Sequence, residues 1–286
     1  MPHSHSTSPM ITKADGEVQP FDPRKLEQSL LRSGAAPFMA ERIAQTITAG
    51  IAPGARSQDI YRRAFTMLRE QHRPAAVRYG LRRALLEMGP SGHPFEDFIA
   101  ELFKAEGWSV QWRKIIQGKC VPHEVDLYAT RGAETVAGEL KYHNEAAYKT
   151  DVKVALYVKA RFEDIWQCDP ATQECPVDIG MLITNTKFTS QAVDYAACAG
   201  LGLLGWSYPE RGNLFDRIVA AGVYPVTALT TLKQAEKRIL LDRGIATTHL
   251  LTEHREALRE LHMPPERIGE VLAEARTVRE PMAYAG

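Results

Sequence analysis

The chain has 286 residues, 44% hydrophobic and 24% charged, which is the composition of a globular protein with room for about two domains and a third small one. Its 35 Lys and Arg balance 35 Asp and Glu, so a bulk electrostatic attraction to anionic polymers or membrane surfaces is excluded. No apolar run approaches the ~18 residues of a membrane span and no secretory leader is legible, so the expectation is a cytoplasmic protein without a membrane partner.

The four cysteines, Cys120, Cys168, Cys175 and Cys198, form no CxxC pair. Cys168 and Cys175 flank a short loop, and free thiols are expected throughout. Residues 1–10 read as a disordered tail. Ile11–Lys13 and Glu17–Phe21 then read as a hairpin around Ala14-Asp15-Gly16. Asp22 and Pro23 start a helix as N-cap and first helical residue, with Leu26, Leu30 and Leu31 inward. A second helix covers about Phe38 to Ala49. Ser57 caps a third, with Ile60, Ala64, Phe65 and Leu68 inward. Pro74 precedes a fourth, with Val77, Leu81, Leu85 and Met88 inward. Between Ile11 and Pro90, 13 Lys and Arg stand against 8 Asp and Glu, so this module is basic although the chain is neutral.

This stretch resembles the ATP-cone, a nucleotide-binding regulatory module of ribonucleotide reductases and of the repressor of their genes. The matching residues are Ile11–Gly16, Pro20-Phe21-Asp22, Lys25-Leu26, Ser57–Ile60 and Arg78-Tyr79. The resemblance implies ATP or dATP held by Lys13, Lys25 and the Ser57 hydroxyl at a helix N-terminus, where anions are favoured. Ala14 stands where that family often has Arg, and Gln19 where an acidic adenosine contact is common. A module that only mediates assembly is the alternative.

Met88–Gly92 reads as a linker, followed by a helix from Pro94 to about Glu106 with Phe95, Phe98, Ile99, Leu102 and Phe103 as its apolar stripe. Trp108–Ile116, His123–Ala129 and Thr135–Lys141 read as three strands, the last two joined by a glycine-containing turn. Side chains alternate along a strand, so Glu139 and Lys141 share a face, and hairpin pairing sets Asp126 beside Glu139. Two carboxylates and an ammonium at one point suit Mg²⁺ or Mn²⁺ and a phosphate oxygen. An ordinary exposed strand face is the bland reading of the same residues.

The order helix, strand, strand with Asp126, strand with Glu139 and Lys141 resembles the Mrr-type restriction endonucleases of the PD-(D/E)xK superfamily. Phe95–Phe98, Ala100–Phe103, His123–Asp126, Glu139–Lys141 and the turn Leu182–Thr189 carry the likeness, with Ala192 and Tyr195 on a following helix and Leu203–Trp206 as a last buried strand. It implies an α+β restriction-endonuclease-like sheet, with Asp126 and Glu139 binding Mg²⁺, Lys141 orienting water and Glu96 completing the outer shell. Glu101 and Glu124 read as solvated, and His123 and His143 flank the site.

Ala147–Phe162 reads as one helix whose Lys149, Lys153, Lys159 and Arg161 are candidates for a DNA backbone track or a solvated face. Thr231–Asp242, Thr247–Leu261 and Pro265–Arg276 read as three amphipathic helices, reminiscent of helix-hairpin-helix modules but without net charge. The resulting division is 11–90, 93–210 and 211–286. The functional expectation is a Mg²⁺-dependent DNA endonuclease under ATP or dATP control, acting as a homo-oligomer. The alternative is a non-catalytic nucleotide sensor that binds DNA or regulates transcription.

Overall fold

A computed structural model describes residues 8–13, 16–167 and 177–280. The expectations for residues 1–7, for the turn residues Ala14 and Asp15 and for the thiols of Cys168 and Cys175 fall outside the described residues. Cys120 and Cys198 are free and exposed. The chain is α+β, and its contacts divide it into two units, one ending at Leu81 and taking in the chain end from Arg276, the other running from Arg82 to Ala275.

In the first unit, β1 (Met10–Thr12) and β2 (Val18–Pro20) pair antiparallel with Ile11 opposite Gln19. The hairpin is closed by Gly16 N–H to the Lys13 carbonyl at 3.1 Å. Asp22 caps α1 (Pro23–Arg32) by accepting the Arg24 N–H at 3.0 Å. Leu26 and Leu30 are buried, but Leu31 is 36% exposed because it lies one residue off the helical stripe. Next come α2 (Pro37–Ala49) and a two-residue strand, β3 (Ala55–Arg56), which lies parallel to β1 and is too short to give a sequence signal. In α3 (Ser57–Gln71) the N-cap is Arg56, and Ser57 is the first helical residue instead of the cap. The helix expected after Pro74 is two, α4 (Arg73–Tyr79) and α5 (Leu81–Leu86), divided at Gly80, and α5 beyond Leu81 belongs to the second unit.

The second unit includes α6 (His93–Ala105), whose expected stripe from Phe95 to Phe103 is fully buried. β4 (Ser109–Gln117), β5 (Pro122–Arg131) and β6 (Glu134–Lys141) form an antiparallel meander. A short β7 (Lys149–Thr150) and α7 (Val152–Trp166) cross over to β8 (Ile179–Thr184), parallel to β6. After β9 (Lys187–Phe188) and α8 (Ser190–Ala199), β10 (Gly202–Leu204) completes a sheet ordered β10-β8-β6-β5-β4 among the described residues. A parallel neighbour requires such a crossover. α7 starts later than expected because the Asp151 carboxylate accepts the N–H groups of Lys153 and Val154, while Lys149 and Thr150 pair with β9.

The chain continues through α9 (Leu214–Ala221), α10 (Gln234–Asp242), α11 (Thr248–Glu253), α12 (Glu256–Glu260) and α13 (Pro265–Thr277). The single helix expected over Thr247–Leu261 breaks at His254, whose φ −102° and ψ 47° are not helical. Glu274 on α13 is 6% exposed and accepts from the N–H and hydroxyl groups of both Thr230 and Thr231 at 2.5–3.0 Å. Its buried charge is thereby matched by donors on both oxygens. Among the described residues no helix is long and apolar enough to cross a membrane.

The seat of α7 on the sheet depends on Gly180 in β8. A Cβ there would fall 2.5 Å from Cγ of Phe162. Gly180→Ala is expected to lower stability by about 1–3 kcal/mol, the usual range for overpacking a filled core. Thermal unfolding followed by circular dichroism checks this, and an unchanged midpoint would mean that α7 does not sit this close to β8.

Candidate functional site

β6 lies between β5 and β8, so a side chain near its end is enclosed from both sides. Glu139 is accordingly 6% exposed. Two cations answer its charge: Lys141 Nζ lies 2.6 Å from Oε1, and the Arg161 guanidinium from α7 donates to Oε2. Arg161 also donates to the Glu124 carbonyl and, at 3.2 Å, to Tyr157 Oη. It is therefore turned into the site, not out along a DNA track. Lys159 is also largely enclosed, with Nζ 4.4 Å from the Trp166 ring centroid. Lys149 and Lys153 remain exposed.

Asp126 stands across from Glu139. The β5–β6 ladder pairs Leu127 with Gly138, and the next pair in register is Asp126 with Glu139. In place of a regular ladder bond, the Leu140 N–H donates to Asp126 Oδ2 at 2.7 Å. Burial first, and then the Glu139 charge, push the Asp126 carboxyl up to about 6; the Leu140 bond opposes this, the Glu96 charge adds to it and Lys141 subtracts. Two carboxylates that resist joint ionisation form a set suited to a divalent cation. Among the described residues no group of three His, Cys, Asp or Glu side chains makes a ready cage. Asp126 and Glu139 would hold Mg²⁺ or Mn²⁺ with waters in its remaining positions, as Mg²⁺ prefers.

Glu96 comes from the first turn of α6, where a carboxylate suits the helix N-terminus. Its Oε2 is 3.2 Å from Arg113 Nη2 and 3.4 Å from His93 Nδ1. Glu101, one turn on, pairs with Lys104 at 2.7 Å. The Glu124 side chain is exposed, and what it lends the site is its backbone carbonyl. His123 is committed elsewhere: its Nε2 is 2.8 Å from Asp164, whose carboxyl this contact, helped by the Cys120 and Val121 N–H groups, holds well below the usual range. Burial, and then Lys141, lower the His143 pKa, so His143 is neutral near pH 7.

The turn after β8 supports the site from beneath. Asn185 is fully buried, accepts the His143 N–H at 2.9 Å and donates to the His143 carbonyl at 2.7 Å. Thr184 Oγ1 donates to the Lys141 carbonyl at 2.8 Å. These contacts fix the chain at Lys141 and just beyond it. The polar run Thr184-Asn185-Thr186 inside an otherwise apolar strand end was the available sequence signal.

In the first unit, the parallel register ends at Thr12 with Arg56, and Lys13 and Ser57 are the residues that follow that pair. Lys13 pairs with Glu17 at 2.8 Å, an exposed contact of little energetic weight. Lys25 is exposed on α1, and that register does not involve it.

Residues 224–278 match a family model described as AF1548-like, C-terminal. An uncharacterized protein of Archaeoglobus fulgidus is 34% identical over 180 residues, 63% of this chain and 99% of that protein. The crystal structure of AF1548, a protein of unknown function, is 31% identical with a TM-score of 0.53, covering 66% of this chain and 98% of that one. MspJI restriction endonuclease in complex with a 27-mer oligonucleotide is 14% identical with a TM-score of 0.34, over 82% of this chain and 48% of that one, a likeness too slight to bear on fold or activity.

The elevated Asp126 pKa has a signed consequence. Between the unfolded value of 3.8 and the folded value of about 6, the folded chain holds a proton that the unfolded chain releases. Ionised Asp126 thus disfavours folding above about pH 6 and has no effect below about pH 4. Asp126→Asn keeps an acceptor for Leu140 N–H and is expected to raise the melting temperature at about pH 8 but not at about pH 4, in chelator-treated protein. An equal shift at both values would contradict the assignment.

Proposed function

Because the chain belongs to the AF1548-like family, a solved member of which is a protein of unknown function, its activity is read from its own site, and we propose that it is a divalent-cation-dependent DNA endonuclease. The observation that carries this reading is the facing pair Asp126 and Glu139 with the Lys141 ammonium on one of its oxygens. A Mg²⁺ or Mn²⁺ ion would supply Lewis acidity and lower the pKa of a bound water. Asp126 and Glu139 would hold the ion through hard oxygen donors. Lys141 Nζ donates hydrogen bonds that orient the attacking water and offset negative charge on the phosphoryl oxygens. Glu96 adds a third carboxylate from α6, balanced by Arg113. In the reaction a water oxygen bonds to phosphorus, one P–O ester bond breaks, and the departing sugar oxygen is protonated.

A second reading has its own support. Both Glu139 oxygens already face cations, so the cluster is charge-compensated without a metal. That favours a DNA-binding or regulatory platform that does not cut. Plasmid incubated with Mg²⁺ separates the two readings. Asp126→Ala and the near-isosteric Glu139→Gln should each reduce nicking or linearisation on the order of 100-fold or more, with unchanged circular dichroism. Lys141→Ala should lose turnover more than DNA affinity. Wild-type protein that leaves plasmid intact would leave the platform reading standing.

The first unit is a nucleotide switch in this scheme. Its support is the likeness to the ATP-cone and the position of Lys13 and Ser57 directly after the last β1–β3 pair, Thr12 with Arg56. No Gly-x-x-x-x-Gly-Lys-Ser/Thr loop occurs in the sequence, so ATP or dATP is bound and not consumed. A ligand shifts an equilibrium only by its differential affinity for two states, and here those states are assemblies of the chain with itself. Lys13→Ala and Lys25→Ala should each weaken binding by about 1–3 kcal/mol, the scale of a charge-assisted hydrogen bond. Titration calorimetry with ATP, dATP and ADP, paired with light scattering, checks this; absence of heat, or binding that changes neither mass nor cleavage, would end the regulatory scheme.

A further inference from the structure

β4 and β5 share one constant register along their length, yet at one position the ladder is open. Bridges join Trp112 with Leu127 and Lys114 with Val125, and the pair between them, Arg113 with Asp126, is unbridged. Arg113 has φ +52°, the left-handed region that non-glycine residues adopt only under constraint. Side chains also change face here. Tyr128 and Val125 both belong to the core packed by α7, although strict alternation would send residues three apart to opposite faces. The sheet is thus dislocated at the position of Asp126. Strained backbone of this kind concentrates where a side chain has to be re-aimed.

The re-aimed side chain is that of Arg113. Its Nη2 lies 3.2 Å from Glu96 Oε2 and 2.7 Å from His93 Nδ1. The Arg113 side chain is 47% exposed and that of Glu96 18%, so the contact orients the more enclosed carboxylate. Arg113 faces Asp126 in the β4–β5 register, so its contact ties Glu96 to the strand position opposite Asp126. With Glu139 and Asp126, Glu96 makes three carboxylates against Lys141 and Arg161, and Arg113 brings the cations to three.

We infer that Arg113, held in a left-handed conformation directly across the ladder from Asp126, is a positioning residue that aims Glu96 at the carboxylate pair and balances its charge. It touches neither water nor phosphate in this role. The inference rests on the phosphodiesterase reading only for its effect on turnover; the coupling of Arg113 to Glu96 is a property of the metal-free protein.

The test is a double-mutant cycle of Arg113→Gly with Glu96→Gln in the full chain, with Arg113→Lys as the conservative variant. Glycine relaxes the backbone at φ +52° but removes the guanidinium. Arg113→Gly should leave the melting temperature equal or higher while lowering kcat about tenfold at little changed KM. In the Glu96→Gln background the same substitution should lower kcat less than twofold, because its target is already gone. Arg113→Lys should recover part of the rate. Mn²⁺ titration calorimetry supplies a readout independent of cleavage: Arg113→Gly should shift Mn²⁺ affinity when Glu96 is present and leave it unchanged when Glu96 is Gln. Equal effects in both backgrounds, or none in either, overturn the inference. Protein that binds Mn²⁺ with this coupling but cuts nothing sinks the endonuclease reading alone. Protein that neither cuts nor binds Mn²⁺ overturns both.

Discussion

Burying the Glu139 carboxylate is the constraint from which the rest of the second unit follows. A lone carboxylate in a sheet interior would be neutralised or excluded, since removing a charge from water is worth several kcal/mol of penalty. Here it is retained because Lys141 on its own strand and Arg161 on α7 each take one oxygen. The arrangement requires α7 to lie flat against the face of β6 that carries Ala137 and Glu139. Ala137 does belong to the same core as Ala155, Val158 and Phe162 of α7. Arg161 also binds the Glu124 carbonyl, so one guanidinium joins a helix and two strands at the chemical centre.

Asp126 is held by a different device. Its strand leaves the ladder with β4 at Arg113 and gives its side-chain oxygen to the Leu140 N–H on the β6 side. A regular strand would spend those positions on backbone pairing. Asp126 stands opposite Glu139 at this opening, where burial first and then the Glu139 charge raise its pKa. Strain at Arg113 and the open ladder are two consequences of one dislocation. Such departures from local rules are expected where function outweighs stability.

Support for the site comes from elements that share none of its charge. Gly180 lets the Phe162 ring lie against β8, and this sets the depth of α7 and so of Arg161. Asn185 satisfies both backbone groups of His143, and Thr184 the carbonyl of Lys141. A satisfied buried amide is stiff because every alternative rotamer leaves a donor or acceptor unpaired.

The sequence by itself determined the element order of the second unit through the Asp126–Glu139–Lys141 strands, because period-two and period-3.6 apolar patterns are local and survive without knowledge of neighbours. It placed Asp126 opposite Glu139 for the same reason, since hairpin register follows from a short turn. It determined the capped start of α1 at Asp22, where the cap bond spans two residues. Tertiary structure alone decided the rest. The inward turn of Arg161 depends on α7 returning to a strand 22 residues earlier. The pairing of β3 with β1, the commitment of His123 to Asp164 and the left-handed bend at Arg113 likewise rest on partners more than ten residues away or on strain imposed by them. No local pattern encodes such choices, because the free energy that selects them arises only when distant segments have already packed.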